Sequence, residues 1–145
     1  MRKIVLLVDD SPGDVRLTKE ALLHADAKIE LHVAVDGVEA MAFLKNLRPF
    51  AGAPRPDLIL LDLNLPKMDG REVLAQIKTD NSLKTIPTII LTTSEAEADI
   101  LKCYQLQANC FLSKPVQLDA FEGVIQAISE FWLAKIKLAP RRHGG

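Results

Sequence analysis

Ile4-Val5-Leu6-Leu7-Val8-Asp9-Asp10 opens the chain with five consecutive apolar residues followed at once by two acids. A run that is apolar at every position leaves no wet face, which suits a central parallel strand covered by helices on both sides. Further short apolar runs follow at Ile29 to Val35, Leu58 to Leu61, Thr88 to Leu91 and Asn109 to Leu112, each of strand length. Between them apolar residues recur at helical spacing: Val15, Leu22 and Leu23; Val38, Met41, Phe43 and Leu44; Val73, Leu74 and Ile77; Ile100, Leu101 and Tyr104; and Leu118 to Trp132. Strand alternating with helix predicts an α/β fold built on a parallel sheet. Ser11-Pro12-Gly13-Asp14 offers a capping hydroxyl, a proline for the first helical position and an acid for the positive end of the dipole, so the first helix should begin there.

Composition narrows the function classes. A chain of 145 residues with 48% hydrophobic and 26% charged residues is one ordinary globular domain, large enough to build a core without disulfides or structural metal. The 18 Lys and Arg nearly balance 19 Asp and Glu, and aromatics make up 5%, which disfavours a basic stripe or a stacking platform for nucleic acid. Cys103 and Cys110 fit no CxxC or zinc spacing and read as reduced core thiols in a cytoplasmic protein. The first apolar run is too short for a signal peptide and ends in acids, and nothing approaches a membrane span. Arg141 to Gly145 reads as a disordered tail outside the fold. Leu47 to Pro56, with four residues that are Pro or Gly, is long for a helix-to-strand connection; it is either a surface excursion with a role or a tolerated insertion.

In a parallel sheet all strands end on one edge, where ligands gather. The strand ends here carry Asp9 and Asp10, Asp62, Thr92 and Thr93, and Ser113-Lys114-Pro115. Any one aspartate at such a place is most often a turn or cap residue, and a single Lys-Pro means little. Taken together they are specific. Two aspartates 4 Å apart repel by about 4 kcal/mol at an effective dielectric near 20, so three in one cleft require a cation. Hard oxygen ligands without competing His or Cys suit Mg²⁺. A metal, a lysine and a hydroxyl beside a carboxylate are what phosphoryl transfer onto that carboxylate needs, and Asp62 is the natural nucleophile.

At these positions the chain resembles the receiver domains of two-component response regulators. The likeness rests on Val8-Asp9-Asp10-Ser11, on Leu61-Asp62-Leu63-Asn64-Leu65-Pro66-Lys67-Met68-Asp69-Gly70, on Leu91-Thr92-Thr93 and on Ser113-Lys114-Pro115, and it extends over residues 1 to about 132. The resemblance implies a flavodoxin-like, doubly wound, five-stranded parallel sheet of order 2-1-3-4-5, phosphorylated on Asp62 by a histidine kinase. It implies Mg²⁺ held directly by Asp10, Asp62 and the Asn64 backbone carbonyl, with Asp9 acting mainly through water. Thr92 and Lys114 would grip the phosphoryl oxygens, with Thr93 the small residue beside them. Phe111 falls where the family keeps an aromatic switch coupled to that threonine, although without the family it is simply a core residue of the fifth strand. Lys114-Pro115 resembles the family's cis-proline. The Pro-rich insertion from Arg48 to Asp57 and the ending Glu130-Phe131-Trp132-Leu133, with Ile136, Leu138 and Pro140, are similar to the small response regulators that partner cyanobacterial phytochromes.

The expected organisation is a receiver over 1–132, a C-terminal extension over 133–145 and no output domain. The signal would leave through a contact with an unknown downstream protein. Such a chain is a phosphoacceptor and not an enzyme that turns over. A haloacid-dehalogenase-type phosphatase also forms an aspartyl phosphate, but its first-strand motif is DxD, whereas Asp9 and Asp10 are adjacent. A receiver-like module that binds without phosphorylation is the other competing reading. A homodimer is also expected. Leu118, Phe121, Ile125, Ile128 and Trp132 form one apolar stripe able to cover the sheet, and Val124, Phe131 and Leu133 fall partly outside it. The interface is therefore drawn from Phe121, Val124, Ile128, Phe131, Trp132 and Leu133, the competing possibility being that the tail folds back on its own domain.

Overall fold

The structure is a computed structural model describing residues 2–135 and 137–140. Its strands are β1 (Lys3–Val8), β2 (Ile29–Ala34), β3 (Leu58–Leu61), β4 (Thr88–Thr92) and β5 (Cys110–Ser113). All pair in parallel in one sheet, ordered β2-β1-β3-β4-β5. Helices α1 (Pro12–Ala25), α2 (Gly37–Leu44), α3 (Gly70–Thr79), α4 (Glu97–Gln105) and α5 (Leu118–Ile128) fill the connections, and a π-helix over Ser129–Lys135 continues α5. The alternation of apolar runs predicts the parallel α/β sheet, and its order is the doubly wound, flavodoxin-like one that the receiver resemblance implies.

Strand alternation divides the core into two layers. Leu6, Val8, Ile59, Leu61 and Ile90 meet Met41, Phe43, Val73, Leu74, Ile77 and Cys103 on the α2, α3 and α4 face. Val5, Leu7, Leu58, Leu60, Ile89 and Leu91 meet Leu22, Phe121, Ile125 and Ile128 on the α1 and α5 face. Each large side chain buried this way contributes about 1.5–3 kcal/mol. Capping starts α1 where the sequence places it: the Asp14 N–H donates to Ser11 Oγ at 3.3 Å, and Pro12 occupies the first turn. Asp36 and Asp69 cap α2 and α3 in the same manner.

Several local expectations are corrected. Val38, expected on the buried face of α2, is half exposed. On α4 only Cys103 is fully buried, while Leu101 and Tyr104 face solvent at 59% and 48% exposure. This helix covers the edge of the sheet, so one residue suffices to dock it. Cys110 is half-buried on the edge strand and so is not a core thiol. Lys114-Pro115 is trans, and the cis peptide bond among the described residues is Arg48-Pro49. The Lys114 N–H extends the ladder to Thr92 O at 2.7 Å, and the trans form of an X-Pro bond is favoured by about 0.5–1 kcal/mol.

The ending also departs from expectation. The compact unit does not stop at residue 132, because Leu133 is buried and Leu138 packs on the same core layer. Phe121, Ile128 and Leu133 are consumed by their own domain and cannot serve an interface, whereas Val124 and Trp132 are half-buried and Phe131 is exposed. Ile136 and Arg141 to Gly145 lie outside the described residues. The long loop before β3 packs inward: Phe50 meets the Phe43 ring edge-on at 5.6 Å. The buried Arg55 donates to Ser82 O and to Thr85 Oγ1, tying this loop to the one that precedes β4.

Candidate functional site

The carboxyl ends of β1, β3, β4 and β5 converge on one cleft because their registers are level. Val8 pairs with Leu61 and with Ala34, Leu61 with Ile90, and Thr92 with Ser113. The next residue along each of β1, β3 and β5 is then a charged one: Asp9, Asp62 and Lys114. The ladder continues through them, with Asp9 N–H on Ala34 O and Asp62 N–H on Val8 O, both at 3.0 Å.

Asp9, Asp10 and Asp62 place carboxylate oxygens within 4.8 Å of one another. Asp9 and Asp62 are buried and Asp10 is exposed. At that spacing each pair of charges repels by about 3–4 kcal/mol for an effective dielectric near 20. Lys114 is the balancing charge. Its buried Nζ donates to Asp9 Oδ2 at 2.7 Å, Asp62 Oδ2 at 2.8 Å and Asp14 Oδ2 at 2.9 Å. Burial by itself would push the Lys114 ammonium toward neutrality, but hydrogen bonds to Asp62, Asp9 and Asp14 more than reverse this and hold it well above the ordinary lysine range. Asp9 moves the other way from a normal carboxylate: burial raises it, and the bonds from Lys114 and from the Ser11 N–H, at 3.0 Å, only partly restore its acidity.

Asp62 is the best-connected carboxylate in the cleft. Its Oδ1 accepts from Thr92 Oγ1 at 2.8 Å and from the Asn64 N–H at 3.2 Å, while Oδ2 accepts from Lys114. Of the two threonines at the end of β4, Thr92 is fully buried and meets Asp62, and Thr93 is exposed. The loop carrying Asn64 is held rigidly. A Cβ on Gly70 would stand 2.2 Å from Asp62 O, and one on Gly37 would stand 2.1 Å from Met68 O, so backbone lies against backbone at both places. Lys67, at φ 66°, reaches Asp36 at 3.5 Å.

Phe111 is half-buried against the α2, α3 and α4 layer, and its N–H donates to Tyr104 Oη at 3.2 Å. Two groups of side chains, one in the cleft and one on α3 and α4, were not singled out by sequence. Asp14 attracts notice in the sequence only as a helix-dipole acid, although its place in the first turn after the cap puts it on the same sheet edge. Arg71 joins Asp69 at 2.9 Å to Asp99 at 2.7 Å, and Asp99 in turn accepts from Ser94 Oγ at 2.6 Å. No spacing in the sequence links these four.

Residues 5–126 match the model of the response regulator receiver domain. The chain belongs to this family. Response regulator Rcp1 of Synechocystis is 48% identical over 136 residues, covering 94% of this chain and 92% of that protein. The crystal structure of the Mn²⁺-bound form of Rcp1 superposes with a TM-score of 0.92 at 47% identity, over 95% of this chain and 99% of the other. The phosphorylated cyanobacterial phytochrome response regulator RcpA gives 0.94 at 46% identity, over 97% and 100%. The receiver is thus similar to the small cyanobacterial regulators that its Pro-rich loop and aromatic ending resemble. Among the described residues no helix is long and apolar enough to cross a membrane.

Proposed function

We propose that this receiver accepts one phosphoryl group on Asp62 from a histidine kinase, and that the kinase is a phytochrome. The observation that carries the reading is the convergence on one carboxylate of a buried ammonium, a buried hydroxyl and an acid cluster short of positive charge. Three hard carboxylate oxygens with one exposed member suit Mg²⁺, held by Asp10, Asp62 and the Asn64 carbonyl with Asp9 behind them. When bound, the cation supplies charge neutralisation for the transferring phosphoryl group. The Mn²⁺ in the Rcp1 crystal structure and the phosphorylated state of RcpA support both parts by analogy.

Chemically, an Asp62 oxygen attacks phosphorus while the bond from phosphorus to the kinase imidazole nitrogen breaks, and the electron pair stays on that nitrogen. The product is a mixed anhydride. Lys114 and Thr92, already within 2.8 Å of the two Asp62 oxygens, need only transfer their hydrogen bonds to the arriving oxygens. Drawing Thr92 inward makes room for Phe111, so that the α4, β5 and α5 surface changes and a downstream protein can read it. The adjacency of Asp9 and Asp10 and the match to the receiver family argue against the phosphatase alternative. Incubation with a small acyl phosphate and Mg²⁺, followed by intact mass, tests the reading: one phosphoryl group on the natural chain and none on Asp62→Asn.

The second part of the reading is a homodimer. An apolar hollow lies between β5 and the end of α5, lined by Cys110, Leu112, Val124, Ala127, Phe131 and Trp132. Phe131 is exposed, and its ring stands edge-on to Trp132 at 5.8 Å. An exposed aromatic at the rim of an apolar hollow is surface that a two-fold pair of copies would bury.

A further inference from the structure

Lys114 has three protons and spends them on three carboxylates, and the third of these, Asp14, stands apart in kind. Asp9, Asp10 and Asp62 form the cluster whose oxygens lie within 4.8 Å of one another, and Asp14 is not among them. Asp14 comes from the first turn of α1, and its Oδ2 accepts from Lys114 Nζ at 2.9 Å with about a third of its side chain exposed. Its main-chain N–H is held by Ser11 Oγ, so the carboxylate is aimed by a capped helix end and not by a free loop.

The two other bonds of Lys114 are the ones that phosphorylation must disturb. Asp9 and Asp62 face any cation in the cluster, and Asp62 Oδ2, now 2.8 Å from Nζ, is on the group that receives phosphorus. A lysine stem has four rotatable carbons, and fixing it is entropically costly unless something holds its far end. We propose that Asp14 is a positioning residue for the phosphoryl-accepting site: it keeps the Lys114 ammonium in the cleft while Asp9 and Asp62 turn to a cation and to the incoming phosphoryl group. This rests on the reading of Asp62 as the acceptor. Lys114 then swings about a fixed Asp14 contact and exchanges Asp62 Oδ2 for a phosphoryl oxygen, with no search for its position.

The test compares the natural full chain with Asp14→Asn, Asp14→Glu, Asp10→Asn and Asp62→Asn. At saturating Mg²⁺, labelling by a small acyl phosphate is expected to slow about tenfold in Asp14→Asn and to recover in part in Asp14→Glu, which keeps the charge. The Mg²⁺ affinity of Asp14→Asn, titrated without phosphodonor, is expected to fall much less than that of Asp10→Asn. The NMR signal of the Lys114 ammonium protons in the Mg²⁺-loaded, unphosphorylated protein is expected to persist in the natural chain and to vanish into exchange in Asp14→Asn. An unchanged labelling rate with an unchanged ammonium signal overturns the proposal. So does a loss of Mg²⁺ affinity equal to that of Asp10→Asn, which would make Asp14 a member of the cation cluster. Should the natural chain take no label at all, the acceptor reading fails, while the ammonium signal still decides for or against Asp14.

Discussion

Lys114 and Asp10 sit on opposite sides of the same charge balance, and opposite consequences follow from removing them. Lys114→Ala deletes the cation that pairs with buried Asp9 and Asp62 among the described residues, and breaking a buried pair from one side costs about 3–5 kcal/mol. The same change leaves the acid cluster more negative, so it should bind Mg²⁺ more tightly than the natural chain, and Mg²⁺ should restore much of the lost stability. Asp10→Asn relieves repulsion and should raise the melting temperature without divalent cation, while weakening Mg²⁺ by roughly a hundred-fold, as expected for about 3 kcal/mol of charge attraction. Calorimetric titration and thermal melts check both signs, and parallel effects from the two variants would contradict the charge balance. The identities of Asp9, Asp10, Asp62, Thr92 and Lys114 as a group are legible in the sequence because each ends an apolar run. Asp14 escapes such reading, since a first-turn acid has an adequate local explanation in the helix dipole. The Arg71, Asp99 and Ser94 network escapes it too, because it joins α3 to the loop after β4 through space alone.

Among the helices, α3 carries the most informative tie. Lys78, in its last turn, donates to Lys84 O at 3.1 Å, Ile86 O at 3.0 Å and Asn109 Oδ1 at 3.0 Å, joining α3 to the strand entries of β4 and β5. The acceptors are all neutral, and burial pushes the ammonium down to about 8 from 10.5. Between those values the unfolded chain holds a proton that the folded chain has released, so stability rises with pH across that window. Lys78→Met has no such proton. Denaturation at several pH values should therefore show the natural chain gaining on the variant from about pH 8 to 10.5, and a flat difference would refute the assignment. The strands of this fold are readable to within a residue or so at each end, most plainly β1 and β3, since unbroken apolar runs have few other uses. Apolar spacing was a poorer guide at α4, where Leu101 and Tyr104 keep helical period yet face water, because a helix on a sheet edge needs only Cys103 to dock. Tyr104 serves the edge instead, accepting the outward Phe111 N–H.

Taken as a whole, the domain ends later than the spacing of its last helix suggests. The switch to a π-helix at Ser129 rotates the following residues, which carries Leu133 into the core and leaves Phe131 outside. A sequence reading based on a uniform period leaves Phe131 outside, as found, but misplaces Leu133. The exposed remainder sets the dimer prediction: light scattering should give twice the chain mass at micromolar concentration, and Phe131→Asp should shift it to the single-chain mass without loss of labelling. A natural chain that stays single at high concentration would remove the dimer. The central claim concerns Asp62, and one measurement addresses it directly. The chain is treated with acyl phosphate and Mg²⁺, reduced with borohydride, which converts an aspartyl phosphate to homoserine, and digested for peptide sequencing by mass spectrometry. Homoserine at position 62 and at no other aspartate is the predicted result; homoserine at position 9, 10 or 14, or none anywhere, would contradict it.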